Sequence, residues 1–421
     1  MNKRVKDYLE IDKKGIQPNF FPNEAFCYYS LPDFDLNGKP SIALGKEIES
    51  NKFLVEAGSI LISKLNPRIK RVWLADHVDK KRRVSSTEFV VLRPKETADP
   101  TYFYYYLQQD NLYKQLESNA IGSTNSHVRF KPEFLTTIKV NIPKLRVQQK
   151  IAKILRTVDG QIEKTEAIIA KYKVIKQGLM QDLFTRGIDV ATGKLRPPYQ
   201  DAPELYKPSP LGMIPKEWDV QKLNELTNLI IDGTHFTPKY TERGVPFLRV
   251  TDIQQDEVDK KRIKFISEEE HQLLTKRCKP EIDDILLSKN GTIGITKVVD
   301  WDWEFSVFVS LCLIKPKHRL ILSNFLSNQI SSFVVFEQIR RRSKQGTVTN
   351  LHLEEIREFD ILLPHNKLEQ EKITERILLI VSTIRNEENN LKKLIQIKRG
   401  LMSDLLSGKI RVQVDEEVIF N

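Results

Sequence analysis

One heptad pattern occurs twice in this chain. The stretch QKIAKILRTVDGQIEKTEAIIAKYKVIKQGLMQDLF, from Gln149, aligns without a gap on EKITERILLIVSTIRNEENNLKKLIQIKRGLMSDLL, from Glu371. The offset of 222 residues carries Ile151 onto Ile373 and Gly178-Leu179-Met180 onto Gly400-Leu401-Met402. A proline and a glutamine precede each stretch, Pro143 and Gln148, then Pro364 and Gln370. In the first stretch one row of sevens reads Ile151, Val158, Thr165, Tyr172 and Leu179, and the row four residues on reads Leu155, Ile162, Ile169, Lys176 and Leu183. The second gives Ile373, Ile380, Glu387, Leu394 and Leu401, then Ile377, Ile384, Leu391, Lys398 and Leu405. Such spacing places one apolar seam along a helix. Each helix runs to roughly 40 residues, about 60 Å at 1.5 Å per residue. Two separate cores could bury the two seams, but the matched polar breaks and the strict heptad favour packing of one helix on the other. Gly178 and Gly400 are unusual inside such helices, where each costs about 1 kcal/mol relative to alanine; they permit a close backbone approach or mark a bend.

The duplication reaches into the segments ahead of the helices. GSILISK, from Gly58, and DDILLSK, from Asp283, are apolar runs that end in Ser-Lys and lead into polar loops, LNPRIKRVW from Leu65 and NGTIGITKV from Asn290. Elsewhere the two front segments diverge. RGIDVATGKLRPPYQDAPELYKPSP, from Arg186, is rich in Pro and Gly, lacks apolar periodicity and reads as a linker. The expected order is a front unit over 1–143, a helix over 144–185, a linker over 186–208, a second front unit over 209–364, a second helix over 365–408 and a tail over 409–421.

Composition narrows the partner. With 67 Lys and Arg against 56 Asp and Glu, the net charge over 421 residues is +11, which favours a polyanion. The opening MNKRVKDYLEIDKKG lacks the apolar run of a signal peptide, and no stretch approaches the roughly 20 apolar residues of a membrane span. Cys27, Cys278 and Cys312 are far apart and form no C-x-x-C pair, so neither a disulfide framework nor a cysteine-rich metal site is expected, and a reducing cytoplasm is the natural setting.

Taken in order, these motifs resemble the specificity subunit of type I restriction-modification systems. SPLGMIPKEWDVQKLNEL, from Ser209, is similar to the opening of a target-recognition domain, and GTHFTP from Gly233, GVPFLRVTDI from Gly244 and DDILLSKNGTIG from Asp283 follow in the usual order. FDLNGKP, from Phe34, and GSILISKLNPRIKRVW, from Gly58, resemble another variety of the same domain. Two departures stand out: Asp283 occupies a place where glycine is more usual, and the N-terminus lacks an opening like that at Ser209. The resemblance implies an α+β chain: two α/β target-recognition domains separated by two long antiparallel helices that form a coiled coil, with a pseudo-two-fold internal duplication. It also implies double-stranded DNA as ligand, with two methyltransferase subunits and restriction/translocase subunits as partners. S-adenosylmethionine, ATP and Mg belong to those partners, and this chain carries no cofactor of its own.

The rival readings are an enzyme and a protein-bridging adaptor. Adenine-N6 methyltransferases place an acidic or amide residue before Pro-Pro-aromatic, but Arg196 precedes Pro197-Pro198-Tyr199 and offers donors with no acceptor. Gly291-Thr292-Ile293-Gly294 lacks the spacing of a nucleotide loop and reads as a tight turn. Glu281, Asp283 and Asp284 lie near Lys289 without the carboxylate-x-lysine spacing of a metal nuclease, and are expected to face solvent at a strand start. The histidines show no paired ligand spacing. No catalytic or metal-binding residue is therefore assigned.

A DNA reader needs cations for phosphates and donor–acceptor groups on exposed loops for base edges. Candidate phosphate contacts are Lys81, Arg82 and Arg83 in one basic cluster, and Arg341 in Arg340-Arg341-Arg342 with Lys344 just beyond. Candidate base readers are Asn66, Arg68, Lys70 and Arg71 in the first unit, and Lys289, Asn290 and Thr292 at the equivalent place in the second. Ser123 and Asn125 in GSTNSH, Thr347 in QGTVTN, and Thr234 and His235 in GTHFTP complete the set. Solvated faces and surface turns are the plain alternatives, and His235 could equally stabilise its own turn.

Overall fold

The computed structural model describes residues 3–76, 81–122, 128–254, 258, 262–342 and 350–413. The chain separates into two compact units, Met1–Ala167 with Glu388–Asn421, and Ile168–Glu387. The borders fall inside the long helices, Leu145–Thr185 and Lys367–Leu406, so each unit holds one half of each helix.

In unit 1 the strand Ile60–Ser63 is buried at all four positions because both faces of its sheet are covered. The antiparallel sheet runs Leu9–Asp12, Phe89–Pro94, Ile60–Ser63, Val72–Leu74. Side chains alternate between faces. Ile60, Ile62, Val90 and Leu92 join a core with Tyr102, Phe103 and Leu112, while Leu61, Phe89 and Val91 face Cys27, Tyr29 and Val55 of a second, five-stranded sheet. That second sheet has one parallel pair, Ala25–Tyr29 with Arg83–Ser85.

Unit 2 repeats the plan. Thr227–Asp232, Leu311–Pro316, Ile285–Ser288 and Thr296–Val298 form the four-stranded antiparallel sheet. Ile285, Leu287, Cys312 and Ile314 point into one core, and Leu286, Leu311 and Leu313 into the other. The second sheet has, among the described residues, three strands, again with one parallel pair, Val245–Leu248 with Ser306–Val307. The correspondence extends to single hydrogen bonds. Gly58 N–H donates to Ala75 O at 2.8 Å, and Asp283 N–H to Val299 O at 2.9 Å. Lys64 O accepts from Phe130 N–H at 3.2 Å, and Lys289 O from Leu351 N–H at 2.8 Å. Gly58 has φ +79° and Asp283 φ +67°, so the aspartate adopts the left-handed turn that its glycine counterpart takes without strain. Asn66 (φ +48°) and Gly291 (φ +72°) match in the same way one strand length later.

Within unit 1, Ile151, Ala152 and Leu155 of the first long helix share a core with Leu405 and Leu406 of the second, and Asp159 pairs with Lys398 at 2.7 Å. Within unit 2, Met180, Leu183 and Phe184 meet Ile373 and Ile377. The helix start of one therefore packs on the helix end of the other in each unit, an antiparallel pairing. Ile169, Ile384 and the residues at both helix ends are buried, whereas Val158, Ile162, Tyr172, Leu179, Ile380, Leu391, Leu394 and Leu401 are half-buried. Partial burial is what a two-helix seam provides, since solvent reaches its flanks.

The helix starts are held by their glutamines. Gln148, fully buried, donates to Pro143 O at 2.9 Å and Thr97 O at 3.1 Å and accepts from Asp99 N–H at 2.9 Å. Gln370 repeats all three contacts with Pro364 O, Leu320 O and Leu322 N–H. Both helices stop at a left-handed glycine, Gly187 (φ +64°) and Gly408 (φ +74°).

Three expectations are corrected. A Cβ on Gly178 or Gly400 would meet nothing within 4 Å, so neither glycine serves a close approach in this chain. The segment 186–208 is not a free linker: Ile188 is fully buried, and Arg196 lies buried in unit 2 against Glu369 (Nη2–Oε2 3.1 Å) and Glu217 (2.7 Å). It straps the start of the second long helix, where Lys372 Nζ also reaches Val190 O at 3.2 Å. Asp284 does not face solvent; it is buried and paired with Lys315 at 2.6 Å. Its burial raises the carboxyl above the usual range, the Lys315 pairing notwithstanding.

Candidate nucleic-acid interface

The polar loop of unit 1 connects Ile60–Ser63 to Val72–Leu74, and its cations are held by acids of the same unit. Arg68 Nε donates to Glu117 at 3.0 Å, and Lys70 pairs with Asp110, which lies seven residues before Glu117 on the helix Asp110–Ser118. A seven-residue spacing puts both acids on one helix face. Arg71 is a correction to the exposed-loop reading: it is buried, and its fork grips Asp35 through Nε at 2.7 Å and Nη2 at 2.8 Å. The bonds from Arg71 hold the Asp35 carboxyl below the usual carboxylate range, and those from Lys70 do the same for Asp110. Asn66 turns the loop, donating its N–H to Val128 O at 2.8 Å.

The basic cluster is also partly engaged. Arg82 donates through Nε to Glu24 at 2.6 Å and stacks 4.1 Å above the Phe21 ring, and this bond lowers the Glu24 pKa. Lys81 and Arg83 flank it, half-buried. In unit 2, Arg341 is exposed on the helix Phe333–Arg342, beside Arg340, which is bound to Glu337 at 2.7 Å. Ser123, Asn125, Lys344 and Thr347 lie outside the described residues.

The matching loop of unit 2 is the tight turn expected of Gly291–Gly294, between Ile285–Ser288 and Thr296–Val298. Thr292 is exposed on it and accepts from Gln254 Nε2 at 3.5 Å. Asn290 bridges to Asn350. Oδ1 of Asn66 and Oδ1 of Asn290 are both buried without a hydrogen-bond partner among the described residues. Lys289 is the second correction: it is buried, with Nζ 3.3 Å from Asp232 Oδ2. Asp232 also accepts from Arg277 Nη2 at 2.8 Å and lies 3.1 Å from His235 Nε2. Burial opposes its ionisation, yet the bonds from Arg277, His235 and Lys289 hold its carboxyl below the usual range. Thr234 is buried and donates its N–H to Val307 O at 3.1 Å, so it shapes the turn. Three residues absent from the sequence-based set stand here, Asp232 itself among them. Arg277 follows the helix Glu268–Thr275, and Phe236 is exposed beside His235. An acid closing the apolar strand Thr227–Asp232 was the signal for Asp232; Arg277 carried none.

What this arrangement offers is a set of loop cations and amides at equivalent sheet ends in two units. Among the described residues, no group of three or more His, Cys, Asp or Glu is placed to hold a metal ion, and no helix is long and apolar enough to cross a membrane.

Comparison with known proteins places this architecture. The chain is 26% identical over 353 residues to the type I restriction enzyme MjaVIII specificity subunit of Methanocaldococcus jannaschii, covering 79% of this chain and 76% of the relative. The putative MjaX specificity subunit of the same organism is 26% identical over 439 residues, covering 98% and 93%. Among solved structures, the type I restriction-modification S subunit from M. genitalium superposes with a TM-score of 0.58 at 16% identity, covering 96% of each chain. A chain from a type I R-M system, solved for its complex assembly and conformational transition, gives a TM-score of 0.57 at 18% identity, covering 97% of each. The family model for the type I restriction modification DNA specificity domain matches residues 1–173 and again 215–398, so it spans both halves of the internal duplication. The chain therefore belongs to the type I restriction modification DNA specificity domain family.

Proposed function

We propose that this chain reads an interrupted, asymmetric DNA site, one half with each front unit, and scaffolds two methyltransferase subunits and the restriction/translocase subunits of a type I complex. The observation that carries the reading is the pair of matched sheets that end in different loops. A shared framework with Asn66, Arg68 and Lys70 at one place and Asn290 and Thr292 at the other suits two readers of unlike sequences. The exposed cations supply salt-sensitive phosphate contacts, and the loop amides and hydroxyls supply base contacts. Exposed pairs such as Arg68–Glu117 contribute little to stability and yield readily to a phosphate.

The long helices offer the partner surface. In unit 2, Val174, Ile175, Leu378 and Leu379 are exposed on them, off the buried seam. Exposed apolar side chains of this kind suit a protein partner. The chain itself performs no chemistry in this reading: S-adenosylmethionine, ATP and Mg act on the partner subunits. Base-resolution methylation mapping of the host with and without this chain tests the proposal. Loss of methylation at one interrupted motif on deletion is expected. Methyl transfer or cleavage by the purified chain alone would overturn the non-catalytic role.

A further inference from the structure

The strand Thr227–Asp232 ends in a carboxylate that is buried yet carries three partners from three different segments. Lys289 Nζ lies 3.3 Å from Oδ2, Arg277 Nη2 donates to Oδ1 at 2.8 Å, and His235 Nε2 stands 3.1 Å from the same oxygen. Arg277 Nη1 also donates to the carbonyls of Asp232 and Gly233, at 3.0 Å each, so three bonds fix its guanidinium. Lys289 is buried and balances the carboxylate charge. Arg277 and His235 are not buried: their side chains are 50% and 64% exposed. Both line a cavity of about 380 Å³ that the exposed Phe236 also lines.

We propose that Asp232 is a positioning residue for the half-site read by unit 2, aiming Arg277 and His235 outward as a fixed pair that contacts DNA. The inference rests on the two-reader function proposed above. Its physical basis is the difference between a tethered and a free cation. A guanidinium locked by three bonds presents its remaining donors in one direction, which is what base discrimination needs. The same group on a loose side chain finds any phosphate, and phosphate contacts carry no sequence information. Because a carboxylate only accepts, His235 must carry a proton on Nε2, which points its other ring nitrogen, Nδ1, away from Asp232. Arg277 and His235 thus offer a fixed guanidinium and a fixed imidazole side by side.

The test uses the full chain co-purified with its partner subunits. Parent and Asp232→Asn proteins are each put through binding selection from a library of duplexes with randomised sequence, and through salt titration on one random-sequence duplex. Asp232→Asn is expected to lose base preference by at least about tenfold in one half of the selected site only. Its affinity for the random duplex should stay equal or rise, with an equal or steeper salt dependence, because a negative charge has been removed. A merely structural role would instead lower affinity for selected and random duplex together, and that result overturns the inference. So does an unchanged preference in both halves. Should Asp232→Asn fail to fold, Arg277→Gln, at a half-exposed side chain, carries the test: it must relax one half-site only, and an unchanged consensus overturns the inference. A parent that selects no two-part consensus removes the two-reader function and this inference with it. An intact parental consensus left untouched by the variants removes this inference alone.

Discussion

Gly178 and Gly58 both have open space where a side chain would go, yet they answer alanine with opposite signs. Gly178 lies inside a helix, as does Gly400. Alanine at either loses less backbone entropy on folding, and each of Gly178→Ala and Gly400→Ala is expected to raise unfolding free energy by about 1 kcal/mol. Gly58 sits at φ +79°, where a Cβ crowds the carbonyl, and Gly58→Ala is expected to lower it by about 1 kcal/mol. Denaturant unfolding of the three variants checks the signs. At the same scale, the left-handed turn at Asp283 explains how an aspartate replaces the more usual glycine, since Asp tolerates this conformation better than most residues. The candidate DNA residues behave differently. Arg71 and Lys289 are expected on exposed reading loops and Arg82 in a basic cluster facing phosphate, and the fold brings each an acid: Asp35, Glu24 and Asp232. Those partners lie 36 residues from Arg71 and 58 from Arg82, so local sequence held no sign of them.

Elements were more legible than pairs. A heptad and a continuous apolar run are local patterns, and both survive into the structure as the long helices and the buried strands Ile60–Ser63 and Ile285–Ser288. The packing of segment 186–208 is not legible in the sequence for a physical reason: the segment has no period, because it is held by single long-range contacts. Arg196 and Glu369 are 173 residues apart. Arg196→Met leaves the Glu369 carboxylate buried without its main partner, and is expected to destabilise unit 2 by about 3–5 kcal/mol. The double variant Arg196→Met/Glu369→Leu should recover most of that loss, because removing both charges of a buried pair is often nearly neutral. Thermal unfolding of the single and double variants distinguishes this from a packing effect, in which the double variant would be the less stable. The helices carry a further expectation if they set the distance between readers. One added heptad in both preserves the seam and adds about 10 Å, close to 3 base pairs at about 3.4 Å each. The preferred spacer, read from a randomised-spacer library, should lengthen by roughly 3 base pairs with both half-sites unchanged. An active variant that kept the parental spacer would sink the ruler.

For the whole molecule, the duplication matters more than the net charge of +11, which basic proteins of many kinds share. Two sheets of the same order, two buried glutamines with the same three contacts and two glycine-terminated helices make one framework used twice. What differs is the loops and the second sheets, with five strands in unit 1 and three in unit 2 among the described residues. If each framework reads its own half-site, the halves are separable. The direct measurement is base-resolution methylation mapping in a host whose chain has residues 209–364 exchanged for the equivalent segment of a relative. The account predicts that one half of the methylated motif changes while the other half stays as it was. Simultaneous change in both halves, or an unaltered motif, would contradict it.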